Sequence, residues 1–394
     1  MRYFVTFFFI IFYAILTAFQ YFSFQSFLSR LNEVASMGGI VKWLYFIFLL
    51  LAIPMFIWSI FSIKKRDHIF IWCVLLVFYM VGSSLLFYNA YPLRDMVLSF
   101  VMPTFSILCF IMTYQLLEYN LPKNALFFTI GMALFIMLIM NLMYITRPEL
   151  LKYSIYAVIP MFCFVLLSKS NFIKFSLFLV IIIITILSGK RTGFIGIIGA
   201  FVIYYTLYMC IIRNRDVIWT FVLLPFFFIL AFFTYRRFGD DISYITTERY
   251  HQFFETLGGG RLDIWKRTIG EIYNSSVFEK IFGKGYLYYE YISTGFFARP
   301  HNDLLDFLGT YGIVGTIFYL GFIFCIVRTM FKLIMARHQF APAFTATTFM
   351  FVAFSVGSIL FFATTFAPIF VFYGYVYHQL YLEKRSLSMP VMKY

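Results

Sequence analysis

Long, nearly uninterrupted apolar runs are the feature that most limits how this chain can fold. A helix rising 1.5 Å per residue needs about 20 apolar residues to cross the hydrocarbon core of a bilayer. About twelve runs approach that length: residues 3–23, 43–63, 69–89, 95–117, 124–145, 151–168, 172–188, 193–212, 217–235, 303–327, 341–362 and 366–382. The sixth is short, and the boundary between the last two is soft, so eleven spans stay open as an alternative. Of the residues, 62% are hydrophobic and only 12% charged. Soluble domains are about 25% charged. So few charges exclude a water-soluble globule, and so much apolar residue excludes disorder. The expected fold is an all-α polytopic membrane protein of about 12 transmembrane helices, with one long external loop containing short interfacial helices.

The net charge of +14 would point to nucleic acid in a soluble chain. Here its distribution decides. With a cytoplasmic start, most of the excess falls in cytoplasmic loops, at Lys64–Arg66, Lys169 and Lys174, Arg213 and Arg215, Arg328, Lys332 and Arg337, and Lys384 and Arg385. This is the positive-inside bias that orients membrane proteins, and no nucleic acid is needed to explain it. The first run follows Arg2 with no small-residue cleavage site, so it reads as a retained helix. All five cysteines lie within the apolar runs, which leaves no disulfide framework and no metal-binding spacing in the loop. Pro54, Pro103, Pro160, Pro225 and Pro368 read as tolerated kinks.

Ionisable groups are scarce within the spans and gather at their external ends, which favours chemistry at the outer surface over transport. The chain divides into helices 1–9 (residues 1–235), a long loop (236–302), and helices 10–12 with a cytoplasmic tail (303–394). A structureless loop of that length is unusual unless it is functional. Two short helices are expected in it, over 241–257 and 261–273, separated by Gly258, Gly259 and Gly260 and suited to the membrane interface. Basic groups stand at three places in this outer region: Lys190 and Arg191 in the turn SGKRTG, Arg261 and Arg267 on the second loop helix, and Arg299 near the loop's end. Arginine binds diphosphate bidentately. It also contacts lipid phosphates at membrane ends. His301 is placed for acid–base work, with Asp303 and Asp306 close enough in sequence to share it. Asn302 or Asp303 would cap the tenth helix, leaving His301 free of that task. Gly309, Gly312 and Gly315, spaced by three, read as a helix-packing face. The aromatic stretch 286–291 fits an interfacial belt or a sugar-stacking platform.

The turn SGKRTG, the long loop, the segment GGGRLDIWKRTIGEIY, the glycine turn FGKGY and RPHNDLLDFLGTYGIVG opening a helix together resemble the O-antigen polymerase and O-antigen ligase superfamily. The motif-bearing resemblance covers about residues 185–330. It implies a bacterial inner-membrane glycosyltransferase with cytoplasmic termini and a periplasmic site. Its substrate would be an undecaprenyl-diphosphate-linked oligosaccharide in the lipid bilayer, and the transfer would be inverting, with no metal or other cofactor. A chain-length regulator is a possible partner. By resemblance, Arg191, Arg261 and His301 match the family's functional positions; Lys190, Arg267, Arg299 and Asp303 are added from position and chemistry. The richness in Phe (57) and Tyr (30) resembles divergent polymerases more than ligases. An O-antigen ligase transferring glycan to lipid A core is the alternative within the enzyme class. A lipid-linked oligosaccharide flippase is the alternative outside it.

Overall fold

A computed structural model describes residues 39–62, 68–87, 93–118, 123–143, 148–188, 191–213, 261–286, 299–357 and 366–388, and among them it is all-helical, with no strand. Hydrocarbon surroundings demand internal partners for every backbone N–H and C=O, and a helix supplies them within one segment. The helices are α1 (Gly39–Ser62), α2 (His68–Leu86), α3 (Leu93–Glu118), α4 (Lys123–Met143), α5 (Pro148–Val165), α6 (Asn171–Leu187), α7 (Arg191–Leu207), α8 (Arg261–Tyr273), α9 (Val277–Phe282), α10 (Asp303–Met335), α11 (Ala341–Gly357) and α12 (Ala367–Ser388). A π-helical turn over Tyr208–Arg213 extends α7.

Helices cover the apolar runs that begin at 43, 69, 95, 124, 151, 172, 193, 303, 341 and 366. The runs 3–23 and 217–235 and the loop helix expected over 241–257 lie outside the described residues. Among the described residues, three stretches are long and apolar enough to cross a membrane: His68–Leu86, Thr192–Ile212 and Asp303–Met335. Pro54, Pro103 and Pro160 lie inside helices. Pro368 sits in the first turn of α12, where a helix has no use for its N–H.

The long arm of α10 packs on α2 and α11, α3 runs between α2 and α12, and α7 lies along α11. Close helix approach depends on small residues at some contacts. A Cβ on Gly374 of α12 would collide with the Phe110 carbonyl of α3. The core is aromatic: Phe110 meets Phe322 and Tyr377 edge-on, with ring centroids 6.4 and 5.8 Å apart. Such edge-to-face pairs add about 0.5–1.5 kcal/mol each beyond burial. On its other side α10 exposes Ile313, Ile317, Leu320, Phe324 and Phe331. A helix apolar on its outer face as well as its inner one is suited to lipid.

Lys174 departs from expectation. Its place was among solvated cytoplasmic loop charges, yet it lies in the second turn of α6 and is only 4% exposed. Its ammonium donates to the Tyr204 hydroxyl at 2.5 Å and sits over the rings of Tyr204 and Tyr208, 4.8 and 5.3 Å from their centroids. The tyrosines of α7 give this charge a cation–π partner and an acceptor, which is what a buried ammonium requires.

Candidate functional site

The segment from Arg299 to Asp303 turns the chain into α10. Asn302 is the N-cap: its side chain accepts from the Leu305 N–H at 3.2 Å. Asp303 and Asp306 occupy the first two turns, where the helix dipole favours negative charge. Capping therefore falls to Asn302 and leaves His301 outside the helix. Among the described residues, two non-glycine residues have positive φ, His301 (50°) and Arg337 (48°). Arg337 ends α10 in a Schellman pattern, its N–H donating to Ile334 and that of His338 to Leu333. His301 precedes a helix start, where no such pattern demands a left-handed residue. Backbone strain of this kind gathers at functional positions.

Asp306 is fully buried and Arg299 is 11% exposed; the guanidinium donates to the carboxylate at 3.2 and 3.4 Å. Thr310 also donates to Asp306, at 3.1 Å. Arg299 in addition donates to the Tyr286 carbonyl at 3.0 Å and lies 4.2 Å from the centre of that ring. The guanidinium expected to face a diphosphate thus bridges α10 to the turn after α9. Tyr286, the first residue of the aromatic stretch, is a buried member of this network rather than part of a surface belt.

Gly312 is more than a packing-face glycine. It breaks α10 with φ 64° and ψ −166°. Phe307 and Tyr319 stack with centroids 4.5 Å apart and planes 6° from parallel, although twelve residues of straight helix would separate them by about 18 Å. The segment 303–311 is therefore folded back along the longer arm. Beside the break, the turn Gly283-Lys284-Gly285 pairs with carbonyls of α10. The Lys284 N–H is shared between Gly309 (3.3 Å) and Thr310 (3.2 Å), and that of Gly285 donates to Thr310 at 3.0 Å. The two segments are so close that a Cβ on Gly312 would strike the Ile281 carbonyl, and one on Gly283 the Thr310 carbonyl. Irregular backbone at membrane depth is tolerated when buried and paired in this way. Gly312→Ala is expected to lower stability by about 1–3 kcal/mol through backbone strain, read as a lower melting temperature of the purified protein in detergent.

The second expected loop helix is present as α8. Arg261, Trp265 and Thr268 share one face by their i, i+4, i+7 spacing. Thr268 is buried, and the Trp265 indole N–H donates to the Pro300 carbonyl at 2.7 Å. That bond fixes the helix that starts with Arg261 against the residue preceding His301. Arg267 lies on another face, exposed and paired with Glu271 at 3.0 Å. Helix α9 begins with a capping box between Ser276 and Glu279. The Ser276 N–H holds the Glu279 carboxyl below its ordinary range.

Arg299, His301 and Asp303 thus stand on one segment, with the helix of Arg261 tied to it. Arg191 is the first residue of α7, three residues after Ser188, the C-cap of α6. Lys190 lies outside the described residues. Among the described residues no group of three His, Cys, Asp or Glu is arranged to hold a metal ion. Sequence reasoning missed the ties through Trp265, Tyr286 and Tyr79. Trp265 had a signal, since it follows Arg261 by four residues and so shares its helix face. Tyr79, in an apolar run far from the loop, had none.

These features define a helical membrane protein whose polar centre is built around a broken helix at its junction with a loop. Residues 175–320 match the family model described as O-antigen ligase, and the match supports the O-antigen polymerase and ligase superfamily. Members of that family are glycosyltransferase-like enzymes, which supports a membrane-bound, O-antigen-related enzymatic role. A comparison with curated proteins gives no match.

Proposed function

We propose that this chain is an O-antigen or polysaccharide repeat-unit polymerase, moving glycan from undecaprenyl diphosphate onto a lipid-linked repeat unit at the periplasmic face of the inner membrane. The observation that carries this reading is the Trp265–Pro300 hydrogen bond, which fastens the Arg261 helix to the segment bearing His301 and Asp303 within the region that matches the family. A base for the acceptor and a cation for the leaving group are the two functions such a transfer requires.

In this mechanism an acceptor hydroxyl attacks the anomeric carbon of the donor glycan from the side opposite the diphosphate. The new glycosidic bond forms as the carbon–oxygen bond to diphosphate breaks, so the configuration inverts. His301, with Asp303 nearby, takes the hydroxyl proton, a contribution of about 10²–10⁴-fold for a well-placed base. Arg191 and Arg261, with Lys190, receive the charge that grows on the departing diphosphate, favouring the transition state over the ground state. Arg299, held by Asp306 and Tyr286, keeps the segment in place. Arg267 is paired with Glu271 outside this group.

Arg191→Lys keeps the charge and loses the bidentate fork. It is expected to cut glycan elongation about tenfold or more, read as the length distribution of lipopolysaccharide in cells with equal membrane levels of the protein. Wild-type glycan lengths would instead mean that Arg191 contacts bulk lipid. Deleting the gene in its host tests the function. Single-unit glycans on the core indicate a polymerase, and complete loss of attached glycan indicates a ligase.

A further inference from the structure

Three successive carbonyls border the break in α10, those of Gly309, Thr310 and Tyr311. The turn after α9 provides donors for the first two. The third is met from a distant part of the chain: the Tyr79 hydroxyl, on α2, lies 2.9 Å from the Tyr311 carbonyl and 3.2 Å from that of Phe282, the last residue of α9. One O–H hydrogen thus serves both sides of the junction, at the point where α9 and the two arms of α10 meet. The tyrosine ring is fitted there as well. It meets Phe318 edge-on at 5.4 Å and Tyr311 at 6.4 Å, and a Cβ on Gly315 would collide with it. Tyr79 is therefore a peg on the inner side of the bend, with its ring against the long arm and its hydroxyl on the short one.

We propose that Tyr79 is a positioning residue for glycan transfer: from α2 it sets the angle between the two arms of α10, and so the placement of His301 and Asp303 at the start of the short arm. The proposal rests on the polymerase reading for its reaction, but not for its geometry. It gives a task to α2, which lies outside residues 175–320. The hydroxyl bridge ties α2 to both sides of the junction, and without it the short arm is free to shift. A displacement of about 1 Å in a reacting group costs as much as 10²-fold in rate.

Tyr79→Phe keeps the ring and removes only the hydroxyl. The bend is read by electron-spin distance measurement between labels at Leu304→Cys and Leu320→Cys, both exposed positions, in a Cys210→Ser background. Sixteen residues of straight helix span about 24 Å, so the folded-back arm gives a shorter distance. Tyr79→Phe is expected to broaden that distribution and move it toward the straight-helix value. It is also expected to lower kcat for glycan transfer about tenfold, with KM for the lipid-linked substrate and the melting temperature unchanged. Three outcomes overturn the proposal: an unaltered distance distribution, an altered one with wild-type kcat, or a loss of activity that follows only a lower melting temperature. Should the wild type transfer no glycan, the polymerase reading falls and the positioning role with it. An unaltered distance in an active enzyme refutes the positioning role alone.

Discussion

Replacing His301 with Ala is expected to reduce glycan elongation by at least about 10²-fold while leaving the protein in the membrane at its normal level. The expectation follows from its place in the fold. Asn302 already caps α10, and His301 is not part of the helix, so removing the imidazole leaves the cap in place. The φ of 50° at His301 is a strain that Ala would share, and Gly would relieve. His301→Gly should therefore be as inactive as His301→Ala and at least as stable. The checks are lipopolysaccharide length in cells and elongation of lipid-linked substrate by the purified variants. Full activity in both variants would move the base to Asp303.

Arg299→Ala is expected to act in the opposite sense, on stability first. Asp306 has no exposed surface, and its carboxylate is held by the Arg299 guanidinium and the Thr310 hydroxyl. Deleting one partner of a buried ion pair leaves a charge uncompensated, at a cost of about 3–5 kcal/mol. The Tyr286 carbonyl and ring also lose their partner. The protein should be depleted from membranes, and its melting temperature in detergent should fall. Replacing both members, as Arg299→Met with Asp306→Leu, should restore much of the stability, because an apolar pair leaves no orphaned charge. If Arg299 instead contacts the diphosphate, Arg299→Ala keeps normal stability and loses only activity. Its two carboxylate bonds and its seat on Tyr286 favour the first result.

The helical architecture was legible because a bilayer admits few alternatives. Apolar runs that begin at 43, 69 and 303 could hardly be anything but helices once lipid is the solvent. The helix over 261–273 was legible from the glycine breaker before it and the apolar spacing of Ile264, Trp265, Ile269 and Ile272. Residue chemistry narrowed the N-cap to Asn302 or Asp303, and the structure assigns it to Asn302. The bend was not legible. A glycine repeat spaced by three fits a packing face as well as a break, and only the third dimension shows that Gly312 faces the Ile281 carbonyl instead of a flat helix. The burial of Lys174 was hidden in the same way. A lysine at the end of an apolar run reads as a loop charge until Tyr204 and Tyr208, thirty residues on, come to rest over it. Arg299 was read from position alone as a candidate for diphosphate, and its partners Asp306 and the Tyr286 carbonyl were not legible because they lie on two elements whose packing no local pattern encodes. Residues held by local geometry could be read; those held by distant partners could not.

The central claim, that this membrane protein forms glycosidic bonds on a lipid-linked glycan, is tested most directly in vesicles containing only the purified protein and labelled undecaprenyl-diphosphate-linked repeat units. The predicted result is a ladder of longer lipid-linked glycans with release of undecaprenyl diphosphate, present with the wild type and absent with His301→Ala. Label that crosses the bilayer with no growth in glycan length would contradict the claim and identify a flippase instead.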